Sequence, residues 1–377
     1  MLHSLCIYLF FPCIVSTVSL PSSTVRLIID TDGVYDDIRG LAIALTHPLA
    51  DVLAITTTHG GVSANQSAAN VARFLRALDK QSVPIFMGSQ DSLVPKGPVV
   101  VWEDLFGSDG VGGVPDALPK TLPSDFSATQ SQNAVDAIIE LTKKHLNVTL
   151  VALGPLTNYA LALRKDPGIA KRIRGIVIMG GNYLGVGNSK SNSTAEFNFL
   201  MDPEAAHIVL SSIHTIIVPW DTCFLKGPEY SQEVNYEDSL QLKTPLSYFL
   251  SNITHRAREY NKVIHQQYAF VDDIAVAIAI DPTVALKKIK LCGTVEMEKE
   301  AFTRGQVAVD WLSTGYNATN QAFEAMEDKN DQNWLSHHFV TEYDVVKINR
   351  MLIDAVTAPC EQKPKSEKRA GKKDDFV

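Results

Sequence analysis

Residues 30 to 37, Asp30-Thr31-Asp32-Gly33-Val34-Tyr35-Asp36-Asp37, place four carboxylates in eight positions directly behind the apolar run Val25-Arg26-Leu27-Ile28-Ile29. Like charges this close repel by several kcal/mol unless they are protonated, solvated or neutralised. A hard divalent cation held by oxygen ligands is the usual resolution. Val25 to Ile29 reads as a buried parallel strand and Asp37 to Thr46 as the helix that follows. The acids then fill a turn at the carboxyl end of a strand, where open α/β sheets bind ligands, and Asp36 and Asp37 sit where a helix N-terminus favours negative charge. Helix capping explains one or two acids, not four, so the turn is a candidate metal site.

The rest of the chain repeats the strand-then-helix order. Strands are expected near Asp51 to Thr57, Pro84 to Met87, Val148 to Leu153, Gly175 to Met179 and Thr215 to Val218. Helices are expected at Ser63 to Leu78, Asn133 to His145, Leu156 to Arg164 and Pro203 to Ser211. This alternation predicts an α/β fold with a mostly parallel open sheet flanked by helices and a site at the carboxyl ends of the strands. Gly88 to Pro98, Gly107 to Pro123 and Gly180 to Ser193 are the long loops, where binding groups concentrate. From Thr244 the pattern turns helical, with Pro245 to Lys262 and Asp273 to Ile280. Two strand-like runs, Lys290 to Met297 and Gln306 to Trp311, precede a last helix near Tyr343 to Ala355.

The ends read differently. Leu2 through Leu20 is an apolar stretch followed by Pro21-Ser22-Ser23. It reads as a secretory signal peptide, residues 1–22, removed near residues 17 to 23; Pro12 and the short apolar core favour cleavage over a retained membrane anchor. Residues 23–358 form the expected catalytic domain. Residues 359–377 hold six Lys/Arg between Lys363 and Lys373 and read as a disordered basic tail. Sequons at Asn65, Asn147, Asn192, Asn252 and Asn317 become usable if the chain is secreted. Cys223, Cys292 and Cys360 remain after leader removal, an odd set that permits at most one bridge. A net charge of −8 argues against a general affinity for nucleic acid or anionic membrane.

Three further segments carry chemistry. Gly154-Pro155-Leu156-Thr157-Asn158 follows a strand, so its main-chain carbonyls are available as hard-cation ligands, although Pro155 also suits a helix start. Ala195-Glu196-Phe197-Asn198, ahead of Asp202-Pro203-Glu204-Ala205-Ala206, offers a carboxylate and an amide fit for sugar hydroxyls, or an ordinary surface strand. Val271-Asp272-Asp273-Ile274-Ala275-Val276-Ala277 opens an apolar helix with two more acids, enough to close a cation's coordination shell.

With Met179-Gly180-Gly181-Asn182 and Arg304-Gly305-Gln306 leading to Asp310, these segments resemble the calcium-dependent nucleoside hydrolases of the inosine-uridine-preferring type, from about Val25 to about Trp311. The resemblance implies hydrolysis of the N-glycosidic bond of ribonucleosides to ribose and free base. It implies Ca2+ held by Asp32, Asp37, the main-chain oxygen of Thr157 and Asp273, with Asp32 as general base. It implies that Asp36 and Asn198 hold the ribose diol, that Asn188 and Glu196 reach the 5′-hydroxyl, that Met179 lines the ribose pocket and that Asp30 supports the metal loop. Related enzymes are often homodimers or homotetramers, so a homo-oligomer is implied, with no stable membrane anchor. Many relatives carry His-Asp where this chain has Asp272-Asp273, which removes the expected proton donor to the base. Departure of a purine protonated at a ring nitrogen and stacked on aromatic rings is the alternative, with Trp102, Phe106, Tyr183, Trp220 and Phe224 as candidates.

Two other readings compete. Ile28-Ile29-Asp30-Thr31-Asp32-Gly33-Val34 also resembles the first motif of haloacid-dehalogenase-type phosphatases, in which the leading Asp is the nucleophile. A secreted nucleoside- or ribose-binding protein without turnover would keep every proposed ligand.

Overall fold

Parallel order is built outward from the strand that carries the acids. The computed structural model describes residues 24–95, 102–189, 194–230, 236–264, 269–311 and 335–358, with the side chains of 226–230 left aside. The leader, the tail, Asn192, Asn317 and Cys360 lie outside the described residues. Strands β1 (Val25–Thr31), β2 (Ala50–Thr57), β3 (Ile85–Met87), β4 (Val148–Ala152), β5 (Gly175–Met179), β6 (Thr215–Val218), β7 (Ala285–Val295), β8 (Val307–Asp310) and β9 (Ser336–Tyr343) form one sheet in the order β3-β2-β1-β4-β5-β6-β9-β7-β8. The pairs from β3 across to β9 are parallel, and β7 is antiparallel to both β9 and β8.

The chain adds β2 and β3 on one side of β1, then crosses to add β4 on the other. That reversal opens a crevice at the carboxyl ends of β1 and β4, the place where such sheets bind ligands. β1 is buried on both faces. Leu27 and Ile29 join the core under the helix Tyr35–Thr46, while Ile28 joins the opposite core with Tyr159, whose hydroxyl donates to the Ile28 carbonyl at 3.0 Å. Covered on both sides, the strand needs an unbroken apolar run rather than alternation.

The first expected helix occurs as Tyr35–Thr46, and that opening at Asp272 as Asp272–Ile280; the two pack against each other over the sheet. The strand Ser336–Tyr343 was not expected. It slots beside β6 and carries the antiparallel pair of β7 and β8. Cys223 and Cys292 are free thiols. Among the described residues no helix is long and apolar enough to cross a membrane.

Candidate functional site

β1 ends in Asp30, Thr31 and Asp32, and the backbone then turns sharply through Gly33 at φ +69°. A side chain there would overlap Ser67 as well as strain the turn. The turn delivers Asp36 and Asp37 into the first turn of the helix Tyr35–Thr46, but the N-cap residue is Val34, with no side-chain cap. Val271 likewise precedes Asp272 and Asp273 without capping. None of the four acids is an N-cap, and only Asp273 accepts an N–H at its helix start, that of Val271 at 3.4 Å.

Three of the turn's acids take different duties. Asp30 is fully buried and turned from the cavity, accepting from the Thr56 hydroxyl and from Nδ2 of Asn158 at 2.8 Å. It supports the turn, and it is not placed as the nucleophile that a phosphatase motif would need. Asp32 accepts the main-chain N–H of Gly61 at 2.6 Å on Oδ2. Asp37 accepts from the hydroxyl of Thr31.

The second acidic doublet divides in a way its sequence does not reveal. Ligand oxygens of Asp36, Asp37 and Asp272 lie within 4.8 Å of one another. Asp273, expected as the ligand, instead faces Arg39, whose Nε donates to Oδ1 at 2.7 Å and whose Nη2 pairs with Oδ2. With both oxygens of Asp273 committed to Arg39, it is Asp272 that faces the cluster.

The expected main-chain ligand also shifts. Thr157 opens the helix Thr157–Lys165, so its carbonyl points along that helix. Its hydroxyl donates to Asp202 at 2.7 Å and meets His59 Nε2 at 3.0 Å, and it does not line the cavity. Leu153, the residue just beyond β4, does line it, and its carbonyl accepts from Nδ2 of Asn198 at 3.0 Å while keeping a second lone pair.

Asp32 Oδ1, Asp36 Oδ1, Asp37 Oδ2 and Asp272 Oδ1 are buried with no hydrogen-bond partner. Unpartnered oxygens on three acids gathered within 4.8 Å, with that of Asp32 on the same cavity, are a costly arrangement for a protein by itself and an all-oxygen donor set for a hard divalent cation. Burial first, then for Asp36, Asp37 and Asp272 repulsion from neighbouring carboxylates, raises their pKa values. Asp36 rises to about 7, with Arg39 opposing, and Asp37 and Asp272 are held well above the ordinary carboxylate range. Asp32 is raised by burial, with the Asp37 carboxyl and the Gly61 N–H opposing. The residues present fit a cation.

Above the acids lies a cavity of about 490 Å³. Met179 sits at the end of β5 on its wall, beside Asn198, whose Nδ2 also donates to the Met179 carbonyl at 3.2 Å. Glu196 caps a short helix, accepting from the N–H groups of Asn198, Phe199 and Gly181 at 2.8, 3.1 and 2.8 Å, and burial pushes its carboxyl up to about 7. Asn188 lines the wall. Its Oδ1 accepts from the N–H of Phe197 at 2.7 Å, and its carbonyl accepts from the Trp102 indole at 3.1 Å.

Trp102, Phe106, Trp220 and Phe224 line the cavity as expected, whereas Tyr183 packs away on Phe339 and Trp311. Tyr35 and Tyr260 complete the aromatic wall, Tyr35 tilted on Phe106 with centroids 5.2 Å apart and Tyr260 edge-on to Trp102 at 6.5 Å. The sequence reading missed these two tyrosines, the Leu153 carbonyl, and Asp221, which accepts the N–H groups of Tyr183, Leu184 and Val186 and so shapes the loop leading to Asn188. Arg39 had one visible signal, a single cationic residue among the apolar positions that follow Asp36 and Asp37 in their helix.

Comparison with known proteins points to one family. The sequence profile described as inosine-uridine preferring nucleoside hydrolase matches residues 27–347. The inosine-uridine preferring nucleoside hydrolase of Crithidia fasciculata is 33% identical over 270 residues, 69% of this chain and 80% of that protein. The pyrimidine-specific ribonucleoside hydrolase RihA of Salmonella schwarzengrund is 29% identical over 300 residues, 78% of this chain and 91% of that one. Among solved structures, an inosine-guanosine nucleoside hydrolase superposes with a TM-score of 0.74 at 28% identity, covering 89% of this chain and 99% of its own.

Proposed function

Because the chain belongs to the inosine-uridine preferring nucleoside hydrolase family, whose members hydrolyse the N-glycosyl bond of ribonucleosides, we propose that it is a secreted, calcium-dependent ribonucleoside hydrolase releasing ribose and free base. The observation that carries the calcium reading is the set of buried, unpartnered oxygens on Asp36, Asp37 and Asp272, three acids whose ligand oxygens lie within 4.8 Å of one another, with Asp32 and Leu153 lining the same cavity. Asp32, Asp37, Asp272 and the Leu153 carbonyl would hold the ion. When bound, Ca2+ would offset the acids' mutual repulsion and offer positions for a water and for the ribose 2′- and 3′-hydroxyls.

The chain's own groups then divide the work. Gly61 fixes Oδ2 of Asp32 and leaves Oδ1 to take a proton from the attacking water. Asp36 and Asn198 face the ribose diol, and Nδ2 of Asn198, spent on two carbonyls, leaves its Oδ1 to accept from a hydroxyl. Glu196 and Asn188 border the place for the 5′-hydroxyl, and Met179 packs under the sugar. Cleavage passes through an oxocarbenium-like state, which nearby carboxylates stabilise. The base lies against Trp102, Phe106, Trp220 and Tyr260, and a ring nitrogen protonated there makes it a better leaving group.

Secretion rests on the leader-like residues 1–22. The sequons at Asn65, Asn147 and Asn252, all exposed, are consistent with it. The substrate is a small ribonucleoside, and the net charge of −8 argues against a general affinity for nucleic acid. Purified protein incubated with ribonucleosides and with phosphate esters tests the reading: free base is expected, and release of phosphate without base would overturn it.

A further inference from the structure

We infer that Arg39 and Asp273 form a clamp that sets the position of Asp272 opposite Asp36 and Asp37, making Arg39 a positioning residue for cation binding; the inference rests on the calcium reading above. Arg39 is fully buried on the helix that supplies Asp36 and Asp37. Its guanidinium forks onto both oxygens of Asp273, and Nη2 also donates to the Ala269 carbonyl at 3.0 Å. The guanidinium carbon lies 5.0 Å from the centroid of the Tyr236 ring and 5.5 Å from that of Phe270. Rings, carboxylate and carbonyl thus fix it together.

These contacts fall on both sides of Asp272. Ala269 and Phe270 lie just before the helix and Asp273 directly after Asp272, so Arg39 ties the start of the Asp272 helix to the helix of Asp36 and Asp37 by its own side chain. The start at Val271 has no side-chain cap, and its N–H donates at 3.4 Å to Oδ2 of Asp273, the same oxygen that Arg39 grips. The pair also neutralises Asp273, so Asp272 alone brings that helix's charge to the cluster. A carboxylate partner outside the coordination set is the usual means by which proteins orient a metal ligand. Here the same task is done through a neighbour in sequence and a helix register.

The test is calorimetric titration of the full chain with Ca2+, alongside thermal unfolding without Ca2+, for wild type, Asp272→Asn, Arg39→Lys and the double variant R39M/D273L. The double variant removes one charge of each sign, so net charge is unchanged, and buried ion pairs replaced by apolar groups often fold well. A clamp predicts Ca2+ affinity lower by about 10- to 100-fold in the double variant, with a metal-free unfolding temperature close to wild type. Arg39→Lys, which keeps the charge and loses the fork, is expected to fall in the same direction and decides the matter if the double variant does not fold. Wild-type Ca2+ affinity in folded Arg39 variants, with binding lost in Asp272→Asn, would overturn the clamp alone. Unchanged affinity in Asp272→Asn would overturn the calcium reading and the clamp with it.

Discussion

Gly61 donates its main-chain N–H to Oδ2 of Asp32 at 2.6 Å, which pins one carboxylate oxygen and leaves the other buried and unpartnered toward the cavity. An acid held this way is oriented before substrate arrives, as a general base must be. Asp32→Asn keeps the shape and removes the base. Turnover is expected to fall by about 10²- to 10⁴-fold with little change in far-ultraviolet circular dichroism, and wild-type turnover in the variant would remove Asp32 from the role.

The backbone beside Asp32 has no room to spare. A methyl group on Gly60 would overlap the Asp32 carboxylate, whereas one on Gly61 would meet chiefly Val34, 2.7 Å from its Cγ1. Gly60→Ala is therefore expected to displace Asp32 and lower kcat/KM by more than about tenfold, roughly the effect of misplacing a reacting group by an ångström. The steady-state comparison of Gly60→Ala with wild type checks it, and equal kcat/KM would contradict the packing argument.

Asn198 ties the sugar side of the site to two strands. Its Nδ2 donates to the carbonyls of Leu153 and Met179 at 3.0 and 3.2 Å, and Asn198→Asp replaces that donor with an oxygen of nearly the same shape. Leaving buried carbonyls without a donor costs about 1–3 kcal/mol. A loss in kcat/KM of about tenfold to a hundredfold is expected, larger for ribonucleosides than for 2′-deoxyribonucleosides if Asn198 serves the diol.

Protons compete with the cation at the acid cluster. Burial raises Asp36 to about 7 and holds Asp37 and Asp272 well above the ordinary carboxylate range. A carboxyl whose folded value lies above its unfolded one loses stabilising protonation as pH rises. As far as Asp36 is concerned, the metal-free protein is thereby progressively destabilised as pH rises from the unfolded carboxylate range to about 7, and the full penalty persists above it. A cation relieves that penalty but must displace the protons. The rise in unfolding temperature produced by Ca2+ should accordingly grow from pH 5 to pH 7. A Ca2+ shift independent of pH would contradict protonated acids at the site.

Much of this was legible before any coordinates, and the exceptions have physical causes. The strands buried on both faces announce themselves as apolar runs, so β1 and β4 to β6 lie within a residue or two of their expected places. Ser336–Tyr343 carries two histidines and a glutamate among its eight residues and has no such run. Asp30, Asp32, Asp36 and Asp37 were recognisable because four acids exceed what capping needs. Asp272 and Asp273 were not separable, because adjacency in sequence says nothing about which helical direction faces the cavity. The same limit applies to the main-chain carbonyl, read as that of Thr157 where it is Leu153 that lines the cavity, since a residue ending a strand and one opening a helix look equally available until the backbone direction is known.

The most direct measurement is release of free base from a panel of purified ribonucleosides and 2′-deoxyribonucleosides, in chelator and after Ca2+ is restored. Base release from ribonucleosides is expected to disappear in chelator and return with Ca2+, with weak turnover of the deoxy series because one hydroxyl of the diol is missing. Undiminished base release in chelator would contradict the account, as would tight nucleoside binding with no base released under any condition.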